Sequence, residues 1–308
     1  MIKIAQLIKL LDYISRYEMN PFHYPTQYIR LKKENWNKFV SAWEKEMEFE
    51  GTINAEEKKQ RFSWNPFQKK SMEEDPIEVK TQTLLPNNRE ELIKHFLDEL
   101  YPFQLKWASS TISHVSYTDQ KYNDDPTLKF FLQRFPDIYL LMYYPIFNIK
   151  KAPMEGEIIL ISPIDIEIIV LLNEDPNATI VANDDRTWVI ETDVDSKRII
   201  SPLISLKRTE QIVKSILNHH QVNLTIQKTV LSQTSQILYS TEPYKTSLIG
   251  KSDFNEWFER KRNLNAPLKS EQLKAVEALL MHCQTTAVRR PEWEKDDDQL
   301  PFEIDEEV

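Results

Sequence analysis

Apolar residues recur at every third or fourth position through much of the first 50 residues. Ile4, Leu7, Ile8, Leu11 and Ile14 share one face at helical spacing, and Trp36, Phe39, Val40, Trp43 and Met47 share another. The pattern predicts a helical N-terminal region over 1–50. An aromatic stripe on one helix packs into a core far more often than it stacks on nucleobases. From 51 to 88 the periodicity dissolves into Lys, Glu, Gln and Asn with Pro66, Pro76 and Pro86, the composition of a charged linker.

A second unit spans 89–285. Arg89 to Leu100 and Pro126 to Phe135 are amphipathic at helical spacing, and Ile138 to Ile149 suits a strand ended or bulged at Pro145. Ile158 to Ile161 and Ile166 to Leu172 are apolar strands joined at Ser162-Pro163, and the second is apolar on both faces after Glu167, as a strand inside a sheet would be. Thr179 to Ala182 and Arg186 to Thr192 flank the turn Asn183-Asp184-Asp185. Pro202 opens a helix at its favoured first position, followed by strands over Val222 to Leu231 and Gln236 to Tyr239, then helices over Asp253 to Arg262 and Ser270 to Cys283. This order predicts an α/β (α+β) architecture with a mixed sheet flanked by helices.

The three glycines, Gly51, Gly156 and Gly250, are too far apart for any two to share a phosphate-cradling loop, which excludes P-loop and dinucleotide-binding fingerprints. One cysteine, Cys283, allows no internal disulfide, and the absence of a C-x-x-C pair argues against structural zinc. A reducing, cytoplasmic address is expected. The apolar start is broken by Lys3, Lys9 and Asp12, and no long uninterrupted apolar run follows, so no membrane partner is expected. The chain carries a net charge of -9, of which nine acidic and three basic residues after Val288 supply -6. The region 286–308 reads as an acidic tail, and the remaining charge neither demands nor forbids a polyanionic partner.

Candidate chemistry is sparse. Glu157, Asp165, Glu191 and Asp193 stand near strand ends, where Asp165, Glu191 and Asp193 could converge on a metal, although hairpin ends are usually charged because they are solvated. Lys197-Arg198, Lys207-Arg208 and Arg260-Lys261-Arg262 could contact phosphates. His219-His220 sit at a helix end, where histidine complements the helix dipole, and His23, His95, His114 and His282 are scattered. No serine stands in a nucleophile elbow, and Cys283 falls on the apolar side of its helix.

From about Glu157 to Arg262, a third of the chain, the order and some of the wording resemble the nuclease-related domain, a branch of the PD-(D/E)xK nuclease superfamily. In that family an Asp precedes a hairpin, a short turn separates its strands, and the second strand carries Glu-x-Lys. Here Glu157 precedes the hairpin, and Ser162-Pro163 is the turn. A further strand, polar turn residues and an aromatic are matched by Thr179 to Ala182, Asn183-Asp184-Asp185 and Trp188. The helix-opening N-P-L-x-Q compares with Ser201-Pro202-Leu203-Ile204-Ser205.

The resemblance implies a restriction-endonuclease-like sheet and, in active members, carboxylates holding Mg²⁺ that activates water, with a lysine that orients it. In this register Val170 and Leu172 replace the Glu and Lys, and Ser205 replaces the Gln. The expectation is therefore a catalytically degenerate nuclease-related protein that needs no cofactor and binds or scaffolds, with nucleic acid or a protein as partner. Two other readings stay open: a working Mg²⁺-dependent nuclease using Asp165, Glu191 and Asp193 or Glu157, and a pure protein-interaction module.

Overall fold

The computed structural model describes residues 4–50, 86–149, 152–183 and 186–290. Six strands make the central sheet: β1 (Gln6–Leu10), β3 (Leu140–Tyr143), β6 (Ile158–Ile161), β7 (Asp165–Leu171), β11 (Thr225–Leu231) and β13 (Thr246–Ile249), adjacent in that order. β6 runs antiparallel to β3 and β7, and the other neighbours are parallel. β10 (Ser196–Ile200), β9 (Thr187–Glu191), β8 (Thr179–Ala182) and β12 (Gln236–Tyr239) form a second sheet in that order. Two small pairs complete the strands, β4 (Ile146–Ile149) with β5 (Ala152–Glu155) and β2 (His114–Val115) with β14 (Val288–Arg289).

Helices cover both faces of the central sheet. On one side α2 (Tyr24–Glu50), α3 (Arg89–Trp107), α5 (Pro202–His219) and α7 (Ser270–Met281) share a core with Ile159, Ile166, Ile168 and Val230. On the other side α4 (Pro126–Arg134) and α6 (Phe254–Arg262) close over Ile158, Leu160, Ile169 and Leu231. β7 therefore alternates its side chains between two buried layers. The mixed α/β architecture expected from the pattern is present.

The short helix α1 (Arg16–Met19) and the long α2 make the N-terminal helical part, but residues 6–10 form a strand and not a helix. The apolar spacing there mimics a helix because its polar positions are also internal. Lys9 is fully buried and its ammonium donates to Tyr13 O, Glu18 Oε1 and Thr285 Oγ1 at 2.8, 2.6 and 3.0 Å. Gln6 is satisfied by Asp137 O and the Tyr17 hydroxyl. With these side chains hydrogen-bonded, the burial cost falls and the segment pairs with β3 across a bulge.

Trp36 and Phe39 pack against Phe96 of α3 at ring separations of 5.1 and 5.7 Å, so the stripe packs on the core through Trp36, Phe39, Val40 and Trp43, while Met47 is exposed. Most of the sequence-defined linker, 51–85, and the acidic residues 291–308 lie outside the described residues, as do Asp184 and Asp185. The first residues of the expected tail instead belong to the fold: Thr286 N donates to Asp12 O at 2.7 Å, and β14 pairs with β2. No helix among the described residues is long and apolar enough to cross a membrane.

Candidate functional site

Glu157 enters the fold through a tight corner. A side chain at Gly156 would lie 2.9 Å from the Phe147 ring and 3.3 Å from Pro145 O, so any larger residue there would have to displace the buried Phe147 ring. Gly156 N donates to Pro145 O at 2.8 Å, and Glu157 N donates to Thr209 Oγ1 of α5 at 3.2 Å. The hairpin register sets Ile158 opposite Ile169, so one step outward Glu157 falls opposite Val170. Burial pushes the Glu157 carboxyl above its ordinary value. The nearby Ser205 hydroxyl, which donates to Pro202 O at 3.1 Å, and the Arg208 guanidinium oppose that rise, and Glu155 reinforces it.

The elements around this corner follow from local chemistry. Ser201 caps α5 by accepting from Leu203 N at 3.3 Å, and Pro202 occupies the first helical position, which turns Ser205 and Arg208 toward the hairpin. Arg208 Nη2 donates to Glu155 O at 3.3 Å. Tyr144, at the end of β3, holds a left-handed backbone with φ 47°. Burial pushes its phenol up to about 12, with the charges of Glu157, Asp125 and Glu155 adding to the rise.

The corner brings together Glu157 and Ser205, the residues aligned with the Asp and Gln of the nuclease-related pattern. The Val170 and Leu172 side chains are partly buried against the core on the α5 face. These residues do not fit a magnesium ion, which needs several hard oxygen ligands. One carboxyl whose proton burial favours and two apolar side chains cannot supply them.

A different charged cluster lies at the turn end of the same hairpin, about five residues or roughly 16 Å away along β6. Ser162 Oγ accepts from Ile164 N and Asp165 N at 3.1 and 3.0 Å and donates to Asp165 Oδ1, so Asp165 is held where the turn enters β7. Glu167, 3% exposed, faces α6. Its Oε1 accepts from Thr229 Oγ1 at 2.5 Å and from Trp257 Nε1 at 3.0 Å, while Lys261 Nζ stands 2.8 Å from Oε2 and 3.7 Å from Asp165 Oδ2. Lys261, read in the sequence as a possible phosphate contact, is instead spent inside the protein. Tyr139 donates from its hydroxyl to Lys261 O at 3.0 Å, and burial, then Asp165 and Glu167, push its phenol up.

Glu191 and Asp193 lie elsewhere. Glu191 ends β9 in the second sheet, exposed and opposite Ser196, and Asp193 sits in the exposed turn closed by Thr192 N to Asp195 O at 2.9 Å. They do not converge with Asp165, and among the described residues no group of three His, Cys, Asp or Glu is placed to hold a metal ion. Lys197 and Arg198 are exposed on the edge strand β10, and Lys207 and Arg208 are exposed on α5 just beyond its cap. Trp188 is buried in the core between the second sheet and α5. Cys283 is buried too, which pushes its thiol up to about 12.

No family model matches the chain, and no solved structure matches it. A curated relative, an RNA 2',3'-cyclic phosphodiesterase of Geobacillus stearothermophilus, is 46% identical over 48 residues. That stretch is 16% of this chain, which spans only 15% of the relative's length.

Proposed function

We propose that the protein is a degenerate nuclease-related protein that binds nucleic acid through its phosphates without cutting it, scaffolding it in the cytoplasm. The observation that carries this reading is the corner at the open end of the hairpin. Glu157 meets Ser205 there while Val170 stands opposite, so the resemblance's Asp and helix positions come together around an apolar replacement of its metal and lysine positions.

Lys197, Arg198 and Lys207 make no ion pair among the described residues, and Arg208 spends one donor on a backbone carbonyl. They follow one another along β10 and the second turn of α5, exposed to solvent. The buried single thiol supports a reducing compartment. The relative's RNA chemistry makes RNA a necessary probe beside DNA.

The test is fluorescence anisotropy of labelled single- and double-stranded DNA and RNA across a salt series, with and without Mn²⁺. A stable, salt-dependent rise is expected, and Lys207→Ala/Arg208→Ala should weaken it and flatten the salt slope by up to about 0.9 per lost phosphate contact on duplex DNA, about 0.7 on single strands. A rise that decays only with metal means cleavage and overturns the reading. No binding at low salt also overturns it, in favour of a protein partner.

A further inference from the structure

Two histidines 62 residues apart in sequence meet on the surface at the ends of α5 and α7. His220 Nε2 lies 3.1 Å from His282 Nε2, with ring centroids 5.3 Å apart. His220 caps α5, its N donating to Ile216 O at 3.1 Å, and His282 caps α7, its N donating to Leu279 O at 3.1 Å. The two helices pack through Ile216, Leu217, Leu279 and Leu280 into one core, so both rings stand on fixed backbone.

Two imidazole nitrogens this close either share a proton or face a common cation. With a zinc–nitrogen distance of about 2.1 Å, a tetrahedral ion holds two nitrogens about 3.4 Å apart, and the ring centres about 5 Å apart. The observed pair needs adjustments of only a few tenths of an ångström. His220 is exposed and His282 partly buried.

We propose that His220 and His282 form a two-imidazole binding site for a divalent transition-metal ion of the imidazole-preferring class, Zn²⁺, Ni²⁺ or Cu²⁺, with water completing the coordination. No group of three donors is placed for a metal among the described residues, so the protein supplies two ligands. The His219 ring, with its centroid 5.1 Å from that of His220 and 6.3 Å from that of His282, lies beside the pair. A bound ion would clamp the end of α5 to the end of α7. The chain beyond α7 carries Thr285 and Thr286, which bond Glu18 and Asp12 near the N-terminus. This site is independent of the nucleic-acid reading.

The experiment is calorimetric titration of the full chain, free of any histidine tag, with ZnCl₂, NiCl₂, CuCl₂ and MgCl₂. One transition ion per chain and no response to magnesium are expected. His220→Ala and His282→Ala should each weaken binding by at least about tenfold, while both keep the metal-free circular dichroism and thermal midpoint of the parent. His219→Ala should stay within about threefold of the parent. Affinity unchanged in both of the first two variants, equal loss in all three, or no binding of any transition ion overturns the proposal.

Discussion

Replacing Lys261 by methionine removes the cation that faces a buried carboxylate. Glu167 Oε1 keeps its two donors, Thr229 and Trp257, but Oε2 has no hydrogen-bond partner besides the 2.8 Å contact with Lys261. Breaking a buried pair from one side costs about 3–5 kcal/mol, because the remaining charge is left uncompensated. For a chain of this size that corresponds to a fall in thermal midpoint on the order of 10 °C. Glu167→Gln/Lys261→Met removes both charges and keeps an acceptor for Trp257, so it should recover more than half of the loss, which a double-mutant cycle resolves. The assay is equilibrium urea unfolding, with an unchanged m-value required for the comparison. Two carboxylates and a lysine at a hairpin end could be mistaken for a catalytic set, and the structure makes them the fastening of α6 to the sheet. A Lys261→Met cost below about 1 kcal/mol would refute that reasoning.

Two further outcomes follow from burial. Glu157 binds its proton more tightly in the fold than the ordinary 4.5, so the stability it contributes is full below that value and is lost as pH rises through its folded pKa. Glu157→Gln should therefore flatten the decline in unfolding free energy across that window, and an unchanged slope would show that the carboxyl is not desolvated. Cys283, held near 12, should react with a thiol reagent at neutral pH on the order of 100-fold more slowly in the native protein than in urea, and equal rates would contradict its burial.

Local pattern was enough for the elements whose neighbours in sequence are also their context. β6 and β7 are legible because continuous apolar runs separated by Ser162-Pro163 can only be a buried hairpin. α5 is legible because Pro202 and the 3.6-residue spacing agree. Glu157, Val170, Leu172 and Ser205 could also be placed in order from sequence, since all belong to one hairpin and the helix that follows β10. β1 has the spacing of a helix because Gln6 and Lys9 resemble a solvated face, and partners brought in by the fold, Asp137 and Tyr17 for Gln6 and Tyr13, Glu18 and Thr285 for Lys9, make their burial tolerable. β10 and β13 gave no pattern of their own: one is an exposed edge held by β9, the other a short strand held by β11. The sequence by itself determined where apolar surface must be hidden and which residue types were available for chemistry. Only the tertiary structure decided which charges meet, because Lys261 with Glu167 and His220 with His282 are brought together by packing across sequence separations of 94 and 62 residues, and no local periodicity encodes that distance.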